Sequence, residues 1–240
     1  MSDILIEVCV DDAAGLAAAI AGGADRVELC SALVLGGLSP SAGLMQLAAQ
    51  CPVPVYAMIR PRAGDFVFSE PEARVMEADI DAARLAGLAG VVLGANLPDG
   101  RLDGALLARL TRRAAGLGLT LHRAFDLVPD LAAAIDLAVE LGFARILTSG
   151  QAASAPEGVA VLARTFGLAA GRIGIMPGAG ISADTVHHLH GLPLVELHAS
   201  CSEPDIATTR VRELGFASPA QRRTSARRVQ ALRAALARMV

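Results

Sequence analysis

Short runs rich in Val, Ile and Leu recur along the chain. They alternate with longer stretches in which Ala and Leu return at helical spacing. The runs are Leu5 to Val10, Arg26 to Leu29, Val53 to Ile59, Val91 to Gly94, Thr120 to Arg123, Arg145 to Thr148, Arg172 to Met176 and Leu194 to His198. Turn residues bound them and most are apolar on both faces, as in strands covered on two sides. Helix starts are signalled by Ser39 before Pro40, by Ser69 with Glu72, by Ser154 with Glu157, by Pro129 and by Ser182. Glycines at 22–23, 87, 116 and 142 mark helix ends. Strict β-then-α alternation predicts a parallel sheet with right-handed crossovers. Eight repeats in 240 residues favour closure into an α/β TIM (β/α)8 barrel, one domain over residues 1–240. The alternative, an open doubly wound sheet, lacks its GxGxxG turn after the first strand.

Composition narrows the function. With 53% apolar and 19% charged residues, general disorder is excluded. A net charge of -3 argues against a dedicated nucleic-acid partner. Aromatics at 3% without Trp argue against a stacking platform for single strands. All 21 basic side chains are Arg, which excludes a Schiff-base or Walker lysine, and no organic cofactor is expected. The uncharged stretch Leu29 to Ile59 is long enough to span a bilayer, but Pro40, Pro52, Pro54 and Gly36-Gly37 interrupt it. The first residues are acidic where a signal peptide is basic. A cytoplasmic protein without a membrane partner is expected. Cys9, Cys30, Cys51 and Cys201 form no CxxC pair, and the simplest reading of each is a small buried side chain. Arg210 to Arg238 holds eight arginines and one acid, with Val229, Leu232, Leu236 and Met239 on one helical face. This predicts a basic C-terminal helix at about 220–240 with a solvated outer face; a phosphate or partner surface is the alternative.

A barrel gathers its strand ends at one mouth. The first strand ends Glu7-Val8-Cys9, the second Glu28-Leu29-Cys30 and the eighth Glu196-Leu197-His198. Side chains alternate along a strand, so each acid shares an inner face with the Cys or His two positions on. Ile6, Val8, Val27, Leu29, Val195 and Leu197 would then face the helices. Arg60, Arg62 and Arg123 are candidate partners for the three acids, or ligands for an anion. A network of ion pairs that only orders the barrel is the structural alternative. Ser149, Gly178 and Gly180 follow strands six and seven, where barrels often hold phosphate. His187, His188 and His190 read as solvated helix-end residues.

Glu7-Val8-Cys9, Gly23 to Cys30, Gly36 to Ser41, Met58 to Arg62, Gly64-Asp65-Phe66, His122 to Asp126, Leu147 to Gly150 and Gly178 to Gly180 together resemble the CutC family of copper homeostasis proteins. The resemblance implies a cytoplasmic TIM barrel, a homo-oligomer, and copper(I) held by Cys9 and Cys30. His198 is the nearest third ligand. Thiolates suit copper(I) because both are soft. The residues by themselves also suit a lyase or isomerase acting on a small anionic or phosphorylated metabolite. In that reading Glu28 or Glu196 is the base, His122 the acid or electrophile, Glu7 and Asp126 assist, and Arg60, Arg62 and Arg123 take the charge.

Overall fold

The computed structural model describes residues 4–205 and 209–239. Eight parallel strands form the barrel: β1 (Leu5–Val10), β2 (Arg26–Leu29), β3 (Val55–Met58), β4 (Gly90–Leu93), β5 (Gly118–Leu121), β6 (Arg145–Thr148), β7 (Gly174–Pro177) and β8 (Glu196–Ala199). They run around the barrel in chain order, and β8 pairs with β1 in parallel, Glu7 opposite His198. The predicted TIM barrel is therefore the fold. Ladder pairing joins each neighbour from β7 round through β1 to β8, and the seam lies between β7 and β8. There a Cβ on Gly174 would stand 2.9 Å from Glu196 Oε1, and one on Gly178 would stand 3.2 Å from His198 Cβ. The two glycines leave room for the polar side chains of β8 to lean across the seam.

The crossovers use α1 (Ala13–Gly22), α2 (Ala42–Ala48), α3 (Glu70–Ala86), α4 (Gly104–Arg113), α5 (Leu131–Glu140) and α6 (Val159–Ala169). Ser69 and Glu72 form the predicted capping box on α3. Other starts differ from expectation. Ser41, not Ser39, caps α2, because Ser39 Oγ accepts from the Arg60 amide instead. Asp130, the residue after Pro129, caps α5. Ser154 and Glu157 lie in a turn, and α6 begins only after Gly158. The seventh crossover is a single 3-10 turn, Val186–Leu189, so His187, His188 and His190 sit exposed at a short turn rather than at the end of a full helix.

After β8 the chain makes an antiparallel pair, β9 (Ser202–Pro204) with β10 (Arg222–Thr224), which the sequence reading did not anticipate. Between them lies α7 (Thr209–Glu213), and α8 (Ala226–Ala237) follows as the expected basic helix. Val229, Leu232 and Leu236 of α8 are buried, while Arg227, Arg228 and Arg238 are exposed. α8 packs on α1 so closely that a Cβ on Gly22 would stand 2.6 Å from Val229 Cβ. The main apolar core lies between the sheet and the helices, with Ile6, Val8, Val27, Leu29 and Leu197 fully buried there. Val195 departs from this expectation: it precedes β8 and is 60% exposed. A small separate cluster of Cys30, Met58 and Val92 lies inside the barrel. No helix among the described residues is long and apolar enough to cross a membrane.

Candidate functional site

The interior of the barrel is ionic at its base. Glu7, Glu28 and Glu196 all point inward and are nearly inaccessible. Their guanidinium partners are not the arginines expected from the sequence. Arg26, at the start of β2, donates through Nε to Glu7 and through Nη2 to Glu196 at 2.6 Å. Arg145, at the start of β6, places Nε 3.2 Å from Glu196 Oε2. Both guanidinium groups stand over the ring of Tyr56, at 5.6 and 5.1 Å from its centroid. That ring occupies the space a Cβ on Gly90 or Gly118 would need. Arg26 shares its parity with Glu28, so strand alternation was the signal that could have revealed it. Two carboxylates held by buried cations are costly to isolate, which explains why acids and arginines occur together here.

Above this base Cys9, Glu28 and His198 converge. One ligand atom from each lies within 4.8 Å of the other two, and all three residues are buried. His198 Nδ1 lies 2.9 Å from Glu7 Oε1, and Nε2 lies 3.6 Å from Glu28 Oε2. Glu7 therefore fixes the ring and turns Nε2 toward Cys9 and Glu28. A carboxylate behind an imidazole is a common support for metal-binding histidine. Glu28 Oε1 is buried without a hydrogen-bond partner, which is costly unless something else occupies the site. Cys30 is not part of this gathering. Its thiol approaches Glu28 Oε2 at 3.5 Å, and Gly37 covers it so closely that a Cβ there would stand 3.0 Å from the sulfur.

The electrostatics follow from these contacts. Burial alone would raise the Glu7 carboxyl, but the His198 hydrogen bond and the Arg26 charge hold it down at about 2. Burial would depress His198, yet the charges of Glu28 and Cys9 lift it well above its ordinary value. Glu28 is raised, by burial first and against the pull of His198. Burial and the adjacent Glu28 charge push the Cys30 thiol well up.

The remaining predicted residues line or frame the mouth. A cavity of about 480 Å3 opens above the Cys9–Glu28–His198 group and is lined by Arg60, Phe66, His122, Arg123, Leu147 and Gly180, among others. Arg62 lies outside it and pairs with Asp65 at 2.9 Å and Glu72 at 2.5 Å. Arg123 pairs with Asp126 at 2.8 Å and donates to Ser149 Oγ at 2.7 Å. Asp126 also accepts from Thr148 Oγ1, from the Ser149 hydroxyl and from the amides of Ser149 and Gln151. This cluster ties the loop after β5 to the loop after β6, so Asp126 and Ser149 already have full sets of partners. The Gly178 amide donates to Thr148 O and is not free for a phosphate. Glu196, held by Arg26 and Arg145, is an ion-pair anchor. Of the arginines named from the sequence, Arg60 alone is both buried and without a carboxylate partner among the described residues.

The fold and this interior define a TIM barrel whose reactive groups lie inside the wall at the ends of β1, β2 and β8. The CutC family model matches residues 4–203, and the chain belongs to the CutC family. A CutC family protein of Rhizobium meliloti (strain 1021) is 62% identical over 238 residues, covering 98% of this chain and 97% of the relative. One from Agrobacterium fabrum is 56% identical over 236 residues, covering 97% and 94%. A crystal structure of CutC from Streptococcus agalactiae, by name a copper homeostasis protein, aligns with a TM-score of 0.78 at 33% identity, covering 82% of this chain and 98% of that one.

Proposed function

We propose that this protein serves copper homeostasis by binding copper(I) as cargo at Cys9 and His198, with Glu28 as the third donor. The observation that carries the reading is the convergence of those three buried side chains within 4.8 Å beneath an open cavity. The donor set fits. A thiolate and an imidazole suit copper, and the thiolate favours the monovalent ion. The unpartnered Glu28 Oε1 supplies an acceptor in search of a charge. Glu7 holds His198 in place from behind, and Cys30 orients Glu28 rather than ligating directly. The supporting family evidence is the copper homeostasis name of the Streptococcus agalactiae relative.

Competition of copper(I) between the protein and a strong chelator tests this. Cys9→Ser and His198→Phe should each weaken binding by roughly tenfold to a hundredfold or more, because each removes a ligand. Cys30→Ser should weaken it less. Unchanged stoichiometry and affinity in Cys9→Ser would remove the proposal.

A further inference from the structure

An ion fills only a small part of the mouth cavity, and two residues above the metal group each carry a buried donor nitrogen without a hydrogen-bond partner. His122 is 3% exposed. Its Nδ1 accepts the Ala124 amide at 3.1 Å, so the ring proton of the neutral imidazole must sit on Nε2. Nε2 is buried and has no hydrogen-bond partner. Burial and the nearby Arg60 charge push His122 down to about 3, which keeps the ring neutral. Its Nε2–H is therefore a fixed donor without an acceptor.

Arg60 is the second such group. It is 6% exposed, and no carboxylate of the described residues lies within 4.0 Å of it. Its Nη atoms donate to the carbonyls of Leu35, Gly37 and Gly64 at 2.8 to 3.2 Å, but Nε is buried and unpartnered. Three backbone dipoles orient this cation without neutralising it. Arg26, deeper in the same barrel, has two carboxylates instead. Phe66 joins the two donors: the Arg60 guanidinium stands 4.9 Å over its ring, and the His122 ring lies 4.7 Å from it. Met58, Leu147 and Ile181 add apolar wall to the cavity. A buried uncompensated cation beside a neutral donor calls for an oxyanion, and apolar walls call for a carbon skeleton.

We propose that the barrel mouth binds a small organic anion, its carboxylate or phosphate oxygens accepting from His122 Nε2–H beside the charge of Arg60, and its skeleton lying against Phe66, Met58 and Leu147. The site goes beyond copper binding and does not need the metal. The proposal narrows the expectation from the sequence, in which Arg60, Arg62, Arg123, Ser149, Gly178 and Gly180 shared that role.

Nitrogen NMR of the histidines in the full chain tests the proposal, with a strong chelator present so that metal binding cannot contribute. Benzoate and phenyl phosphate serve as anion probes and benzyl alcohol as the neutral control. The His122 Nε2 signal, assigned by its absence in His122→Phe, should move saturably with one or both anions and not with the alcohol. Which anion saturates first distinguishes a carboxylate from a phosphate ligand. Measured by calorimetry, Arg60→Met and His122→Phe should each weaken anion binding roughly tenfold or more, since each removes a strong donor. If Arg60→Met fails to fold after losing its carbonyl contacts, His122→Phe alone decides. No saturable shift with either anion, an equal response to the alcohol, or wild-type affinity in His122→Phe overturns the proposal. Loss of copper binding would leave this readout untouched, so the two readings fail separately.

Discussion

Ile6, Val8, Val27, Leu29 and Leu197 face outward from the barrel wall and are fully buried among helix side chains. Their sequence neighbours Glu7, Glu28 and His198 face inward, into a network of carboxylates, guanidinium groups and an imidazole. A single step along each strand moves from one environment to the other. The outer layer resembles an ordinary protein core, where burial of apolar area supplies most of the stability. The inner layer is unusual for a TIM barrel, whose interior is commonly filled by branched aliphatic side chains. Stability and chemistry are thus separated by strand alternation, and the inner face can carry charge because the outer face does not.

The sharpest way to break that comparison is to remove one partner from the inner network. Arg26→Met leaves Glu7 and Glu196 without their shared cation and should cost about 3–5 kcal/mol in urea unfolding. Adding Glu196→Gln should recover part of the loss; a loss under about 1 kcal/mol in the single variant would show that the network does not act as a buried ion pair. In the outer layer, Leu107→Ala on α4 removes a fully buried side chain. It should cost about 2–5 kcal/mol by creating a cavity, and copper affinity should be unchanged.

Acid distinguishes the layers further. His122 is ordinarily protonated below 6.5 but in the folded protein only below about 3. Across that window the unfolded chain binds the extra proton, so stability falls as pH falls, by at most about 1.4 kcal/mol per pH unit. Glu7, held down from 4.5 to about 2, adds a loss of the same sign over its own lower window. Glu28, raised above 4.5, acts in the opposite sense just above that value, so the His122 contribution is read as a difference: between pH 6.5 and 4.5 urea midpoints of the parent protein should fall further than those of His122→Phe. Parallel profiles of the two proteins between those values would contradict this. The smallest effect belongs to the outer surface: Asp130→Ala removes the cap of α5, where its side chain accepts the Ala132 and Ala133 amides. It should lower stability by about 1 kcal/mol without changing copper affinity.

Much of this architecture was readable from the chain. The eight apolar runs correspond to the eight strands, with bounds shifted by a few residues at several ends. Glu7, Cys9, Glu28 and His198 were legible because each acid and its soft neighbour share parity. The partners were not. Arg60, Arg62 and Arg123 stand in conspicuous motifs near strand ends, whereas Arg26 follows Gly23-Ala24-Asp25 and looks like a turn residue. Arg62 turned out to serve the start of α3 through Glu72, and Arg123 to serve the loop after β6 through Asp126 and Ser149. The pair β9–β10 was missed because three-residue strands carry too little periodicity to register.

The sequence by itself determined the order of the eight barrel strands, the face that most of their residues occupy, and the family, because alternation and motif order are local properties of the chain. Only the tertiary structure decided which cation meets which acid, that Glu28 rather than Cys30 joins Cys9 and His198, and that Arg60 Nε and His122 Nε2 are left without hydrogen-bond partners. Those outcomes depend on barrel stagger and on side-chain reach across strands distant in sequence, and neither is encoded within any one segment.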